Sequence, residues 1–274
     1  MAPSLFLPLP SACFYNIVLH SHSRRRFLVG SLALCLANGC SRDQRDEVDY
    51  PFKVAQTWTA EGVMHGDIVQ FESVFWEPAD TISLRKLIVE DGICSSRDVL
   101  EIGTGTGLIA VLCLQYNANS VVATDINPAA VNNAKYNIAM LTESTQADVR
   151  QVPHDAPMAF STIGDRERFD LILSNPPWED GTVEKPAEHA FYDPNFALMD
   201  SLLDGLPQHL NIGGRCLLAY GHLPAIERLL QQATQRGYGC KILDDRKLED
   251  LETDFLPGML IEVTVPAHSL SSNH

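Results

Sequence analysis

Apolar residues recur along this chain in two rhythms: short unbroken runs, and longer stretches where apolar positions return every three or four residues. The runs Val99–Ile102, Ser120–Asp125, Ala147–Val152, Phe169–Ser174, Arg215–Tyr220, Lys241–Leu243 and Met259–Val265 predict strands buried in a sheet. Helices are predicted where Ile82, Leu84, Leu87 and Ile88 share a face, over the almost wholly apolar Leu108–Leu114, and on the stripe Val131, Ala134, Ile138 and Leu141. Two more follow, one on Met199, Leu202, Leu203, Leu206 and Leu210, the other on Ile226, Leu229, Leu230 and Ala233, stopping at Gly237. Strands and helices that alternate in this way predict an α/β fold, a Rossmann-like sheet of about seven strands, mostly parallel. Nothing between the last two strands is long enough for a crossover helix, so they are predicted to be antiparallel neighbours at the C-terminal side of the sheet.

The punctuation agrees with this frame. Asn127 and Pro128 are placed to cap and open the helix after the second parallel strand, and Asp80 or Thr81 to cap the one at Ile82. The stretch Val74–Thr81 also has a functional reading, as a lid over the first strand–helix turn with Trp76 as an apolar wall. Residues 71–266 are expected to form the sheet domain, with 41–70 as linker and N-terminal extension and 267–274 as a tail.

Two junctions carry chemistry. At the first, the run ending in Ile102 meets Gly103, Gly105 and Gly107, and a helix begins at Leu108. Glycine lets the backbone turn sharply and lets a ligand approach it without meeting a Cβ. A dinucleotide turn would space its third glycine differently and place it where Leu108 stands, so this turn suits a ligand lacking a pyrophosphate; a purely structural turn uses the same residues. Asp125 ends the next strand 22 positions after Gly103, where a carboxylate can accept both hydroxyls of a ribose. Asp148 falls near the third strand's approach to the crevice and is expected to accept from a base amino group. At the second junction the run Phe169–Ser174 stops at Asn175-Pro176-Pro177-Trp178. Two prolines cannot continue a central strand, and they stiffen the loop. The Asn175 amide oxygen and the Pro176 carbonyl would accept the two hydrogens of a planar NH₂ group, with Trp178 stacked on its plane. The polar loop 179–193 that follows is long enough for a lid or a substrate loop. His189 within it is given no role, since a lone histidine there is more often a surface or capping residue.

Charge narrows the partners. The formal net charge is −15, which argues against a free-standing nucleic-acid binder while leaving room for RNA presented by a complex. The seven cysteines, at 13, 35, 40, 94, 113, 216 and 240, have no paired spacing, so neither a disulfide framework nor a zinc site is expected. Cys113 and Cys216 sit in apolar runs as small buried hydrophobes.

Residues 1–40 stand apart. Arg24-Arg25-Arg26 precede the apolar run Gly30–Ala37, and Asn38-Gly39-Cys40 follow it. The pattern is that of an export segment too short to span a membrane. It resembles a twin-arginine signal ending in a lipoprotein-processing site, which would put a lipid anchor on Cys40 and make that the chain's contact with a membrane. An over-extended start that mimics a signal explains the same residues.

Taken together, the G-x-G-x-G turn, the acid at the tip of the second strand and the Asn-Pro-Pro-aromatic loop resemble the class I S-adenosylmethionine-dependent methyltransferases. Within these, the chain is similar over roughly residues 70–266 to the Asn-Pro-Pro-Tyr group of N-methyltransferases, the release-factor glutamine methyltransferases (HemK-like) in particular, whose Pro-x-Asp-Thr segment matches Pro78-Ala79-Asp80-Thr81. Trp178 in place of Tyr is a departure, as is the lack of an evident helical recognition domain at the N-terminus. The resemblance implies S-adenosyl-L-methionine as cosubstrate, held by Glu101, Gly103, Thr104, Gly105, Gly107, Asp125, Ile126, Asp148 and Asn175. It implies methyl transfer at Asn175, Pro176 and Trp178, with a protein glutamine as the favoured acceptor and a nucleobase amine or small molecule as alternatives. A nicotinamide-dependent oxidoreductase would leave the Asn-Pro-Pro-Trp loop without a task. A non-catalytic, lipid-anchored module is the reading from another class.

Overall fold

The computed structural model describes residues 52–59, 64–250 and 255–267. Every predicted run becomes a strand: β3 (Asp98–Ile102), β4 (Ser120–Asp125), β5 (Ala147–Gln151), β6 (Phe169–Ser174), β7 (Leu210–His222), β8 (Gly239–Ile242) and β9 (Phe255–Thr264). They form one seven-stranded sheet in the order β5-β4-β3-β6-β7-β9-β8. Its first five strands are parallel, and β9 runs antiparallel to both β7 and β8. The expected antiparallel pairing of the last two strands is therefore present, with β9 inserted between β7 and β8. The helices α1 (Ile82–Val89), α2 (Leu108–Gln115), α3 (Pro128–Leu141), α4 (Ala197–His209) and α5 (Leu223–Gln235) cover the sheet. One core joins α1, α2 and α3 to one face, where Leu84, Leu112 and Ala134 are buried; the other joins α4 and α5 to the opposite face through Leu203, Leu206 and Leu229. Cys113 and Cys216 are buried in these cores as expected.

Two features depart from the sequence reading. Within the stretch expected to be linker, β1 (Val54–Thr59) and β2 (Asp67–Phe71) make an antiparallel hairpin. It is held on α3 by two fully buried asparagines. Asn133 Oδ1 accepts from the Phe71 N–H at 2.7 Å and its Nδ2 donates to the Val69 carbonyl at 2.7 Å. Asn137 Oδ1 accepts from the Val69 N–H at 3.0 Å, while its Nδ2 reaches the Val69 and Thr106 carbonyls at 2.7 and 2.8 Å. These side-chain amides do for β2 what a neighbouring strand would do, satisfying backbone groups that burial would otherwise leave unpaired. The second departure is the start of α1. Thr81 makes no side-chain cap, and its hydroxyl reaches back to the Pro78 carbonyl at 3.4 Å. The cap instead precedes it, where the Glu77 carboxylate accepts from the Ala79 N–H at 3.2 Å. By contrast, Asn127 caps α3 as expected, accepting from the Ala129 N–H at 3.0 Å.

Register places the site. Ile102 lies opposite Thr124 on one side and Ser174 on the other. The residues that follow, Gly103, Asp125 and Asn175, thus leave the sheet at one level. The chain moves outward from β3 through β4 and β5, then returns to the other side of β3 with β6, and such a reversal point is where open α/β sheets bind ligands. The export-like segment of residues 1–40, with Cys40, lies outside the described residues, and no described helix is long and apolar enough to cross a membrane.

Candidate active site

A cavity opens at that reversal point. Its floor is the glycine turn from Gly103 to Thr106, with Asp125 and Ile126 after β4 and Asn175, Pro176 and Pro177 after β6. Val152, Pro157, Met158 and Ala159 give it an apolar flank, and Phe75, Trp76 and Glu77 stand in front of α1. The loop between β6 and α4 closes the rim with Pro186, Ala187, His189, Tyr192 and Asp193.

Gly103 and Gly105 have φ of 76° and 55°, values that side chains rarely adopt. A Cβ added to Gly103 would meet no atom within 4 Å, so the turn offers bare backbone to the cavity. Gly107 belongs elsewhere. It is not in the cavity wall; it precedes α2 with φ of 81°, and a Cβ there would lie 2.8 Å from Ala134 Cα of α3. Its place is the close approach of α2 and α3.

Two carboxyls stand at this turn. Glu101 is buried, and the Thr104 hydroxyl donates to its Oε2 at 2.7 Å. Burial, aided by the Asp125 charge, pushes the Glu101 carboxyl up to about 8 in spite of that bond. The Asp125 carboxylate is braced by the Gly105 N–H on Oδ2 at 2.9 Å and the Asn127 N–H on Oδ1 at 2.8 Å. Desolvation nevertheless pushes it up to about 6. Glu77 and Asp193 bring the carboxyls in the wall to four, and no lysine or arginine lines it among the described residues. Such a wall favours a cationic ligand.

The Asn175 loop is held from behind, since the Ser174 hydroxyl donates to the Ile102 carbonyl at 2.7 Å. Asn175 Oδ1 is shielded from solvent and has no hydrogen-bond partner among the described residues. A buried amide oxygen left unpaired costs roughly 1–3 kcal/mol, which marks Asn175 out among the residues of the wall.

Besides Gly107, the structure leaves two more expected residues out of the cavity. Trp178 turns to the far side of its loop: its indole N–H donates to the Ala219 carbonyl at 3.2 Å, and its ring packs on the α4–α5 core. Asp148 sits at the second position of β5, three residues short of the strand's end at Gln151, with its side chain 59% exposed and paired to Arg150 at 2.7 Å. The flank where Asp148 was expected is supplied by Val152 and Pro157–Ala159. His189, given no role from sequence, lines the cavity; burial, reinforced by His154, holds its imidazole below the usual histidine range. Phe75 and Phe191 meet edge to face across the rim, their ring centroids 5.5 Å apart. The signal for this rim was the aromatic pair Phe191-Tyr192 inside an otherwise polar loop.

These features fit S-adenosylmethionine: bare glycine backbone, carboxylates without competing cations, a carboxylate at the tip of β4 and an apolar flank for a base. The chain matches the methyltransferase small domain family over residues 81–237. It is 30% identical to a protein of Methanocaldococcus jannaschii that carries the provisional name protein N5-glutamine methyltransferase, over 61% of this chain and 82% of that one. It is 36% identical to the release factor glutamine methyltransferase of Cereibacter sphaeroides, over 45% of this chain and 46% of the relative. It is also 34% identical to the tRNA1(Val) (adenine(37)-N6)-methyltransferase of a Flavobacteriaceae bacterium, over 44% of this chain and 49% of that one. The chain thus spans most of the first relative and about half of the other two. It belongs to the methyltransferase small domain family and is an S-adenosylmethionine-dependent methyltransferase.

Proposed function

We propose that this methyltransferase acts on a planar amide or amino nitrogen, and that its acceptor is a glutamine side chain of a protein. The observation that carries the reading is the buried, unpartnered Oδ1 of Asn175 in the cavity wall. An amide NH₂ entering there donates one hydrogen to Asn175 and the other to the Pro176 carbonyl, which fixes its plane. Holding the NH₂ by its hydrogens favours the positive charge that develops on nitrogen as it reacts. When bound, S-adenosylmethionine supplies an already activated methyl group, so the protein's task is alignment and exclusion of water. In this reading Gly103 and Gly105 admit the cosubstrate to the backbone, Asp125 takes its ribose hydroxyls, and Glu101, Thr104 and Ile126 complete that wall. The catalytic unit is residues 71–266 together with the hairpin docked on α3.

A protein acceptor is favoured over a nucleic acid by the cavity wall, whose acidic side chains are joined by no lysine or arginine among the described residues, and by the net charge of −15. The names of two relatives point the same way. An exocyclic amine of a nucleobase is the second reading, because it presents the same planar NH₂ and a third relative is named for adenine-N6 methylation of tRNA. The deciding experiment is transfer of a labelled methyl group into fractionated cell extract by the full chain, with Asn175→Ala alongside. Label in a protein fraction, absent with the variant, is the expected result. Label in nucleic acid moves the assignment to the second reading, and equal label from both chains removes Asn175 from the acceptor site.

A further inference from the structure

The Asn175–Trp178 loop has its aromatic residue committed elsewhere. The Trp178 indole is tied to Ala219 of β7, and the Trp178 carbonyl is bonded to His222 Nδ1 at 3.0 Å. Swinging the ring into the cavity would break the indole bond and return apolar surface to water. The cavity wall at this loop consists of Asn175, Pro176 and Pro177, without an aromatic face of its own.

The residue after Trp178 brings one in. Glu179 forms an isolated bridge with Tyr192. Its N–H donates to the Phe191 carbonyl at 3.4 Å, and the Asp193 N–H donates to the Glu179 carbonyl at 2.7 Å. These bonds close loop 179–193 at its neck, and Tyr192 lines the same cavity as Asn175, Pro176 and Pro177. The ring is seated over Gly181, where a Cβ would lie 2.5 Å from Tyr192 Cδ1. The far side of the neck is fixed as well, because the Asp193 carboxylate accepts from the Leu198 and Met199 N–H groups of α4 at 2.8 and 3.0 Å. The neighbouring Phe191 is turned outward, 53% exposed, against Phe75.

The geometry points to Tyr192 as the aromatic face that the planar acceptor group meets, with Trp178 as a positioning residue that ties the Asn175–Pro177 segment to β7. This inference rests on the reading of Asn175 and Pro176 as the grip on the acceptor NH₂. It assigns the two tasks of one aromatic to two residues. Tyr192 gives specificity for a flat group; Trp178 gives the loop its rigidity. Gly181 follows from the same packing, since any side chain there would displace the ring.

The test uses two acceptor probes, a glutamine-bearing peptide and an adenine-bearing single-stranded oligonucleotide, and follows labelled methyl transfer by the full chain. For the probe that the wild type methylates, Tyr192→Leu raises the acceptor KM about tenfold, the loss expected when one aromatic contact is removed. Tyr192→Phe keeps the ring and rescues KM, and cosubstrate affinity measured by direct binding is the same in both variants. Trp178→Phe lowers kcat and the melting temperature, leaving the acceptor KM in place. If Tyr192→Leu folds with a wild-type KM while Trp178→Phe raises KM at an unchanged melting temperature, the assignment is reversed and the inference fails. Failure of the wild type to methylate either probe overturns the reading of the Asn175 grip, and this inference with it. Loss of transfer in Asn175→Ala beside an unaffected Tyr192→Leu overturns this inference alone.

Discussion

Asn175 and Glu101 show how single side chains prepare this site before any ligand arrives. Asn175 has an amide oxygen with nothing to accept from among the described residues, and the Ser174 hydroxyl behind it ties the loop to Ile102. We expect Asn175→Ala to abolish methyl transfer and to leave cosubstrate affinity within a few fold, because the glycine turn and Asp125 are untouched; isothermal titration beside a transfer assay reads both. A large loss of cosubstrate affinity would move Asn175 from the acceptor to the cosubstrate. Glu101 stores a different tension. Its folded carboxyl titrates near 8, above the ordinary value of 4.5 that the unfolded chain keeps, so the native state holds the proton longer. Stability is unaffected by this group below pH 4.5 and falls as pH rises from there to about 8. Glu101→Gln, which still accepts from Thr104, is therefore expected to melt higher than wild type at pH 8 to 9, with the advantage fading toward pH 4.5. An advantage of equal size at both ends of the range would show that the carboxyl is not the source.

Elements of secondary structure were legible where their own residues decide them. The strands β3, β4 and β6 and the stripe of α3 announce themselves by apolar runs and spacing, and the register of β3 between β4 and β6 then collects Gly103, Asp125 and Asn175. What was not legible depends on partners distant in sequence. The hairpin β1–β2 lacks a clear apolar rhythm because β1 is mostly exposed, and β2 is held to α3 by hydrogen bonds from Asn133 and Asn137. Asn137→Ala is expected to cost about 1–3 kcal/mol, since it leaves the Val69 and Thr106 backbone groups short of partners. Hydrogen exchange should show the Val69 amide losing protection ahead of the sheet, while the Phe71 amide keeps its Asn133 partner. The direction of Trp178 is likewise set by a carbonyl of β7, 41 positions away, and Asp148 misses the cavity because β5 runs on to Gln151. The three glycines looked alike in sequence yet do different work. Gly107→Ala must absorb both a left-handed backbone and the contact with Ala134, a combined cost of about 2–4 kcal/mol. Gly103→Ala has open space and carries only the backbone term, roughly 1–2 kcal/mol. Equal denaturant midpoints for the two variants would mean that α2 and α3 can part at little cost.

For the molecule as a whole, acidity and catalysis meet in the cavity. The net charge of −15 is carried into a wall lined by Glu77, Glu101, Asp125 and Asp193, with His189 as its one titratable nitrogen and neither lysine nor arginine among the described lining residues. A positive sulfonium gains from this field, whereas S-adenosylhomocysteine, the product left after transfer, carries a neutral thioether in its place. The difference should grow with pH. Asp125 ionises near 6 and Glu101 near 8, each held above its ordinary range first by desolvation, and a cation within reach of them would favour the charged form of both. At pH 5.5 the two carboxyls are largely protonated and the two ligands should bind with similar affinity. By pH 9 both are ionised, and the cosubstrate should bind more tightly than the product, by about tenfold if the added attraction is near 1.4 kcal/mol. Product release would then be assisted by the same carboxylates that recruit the cosubstrate, because the charge they hold disappears on transfer. Thermal-shift titrations with both ligands across this pH range measure the effect. A ratio of affinities that stays flat from pH 5.5 to 9 would place the sulfonium outside the reach of Asp125 and Glu101; a ratio that climbs through 8 in wild type and not in Glu101→Gln would assign the upper step to that single buried carboxyl.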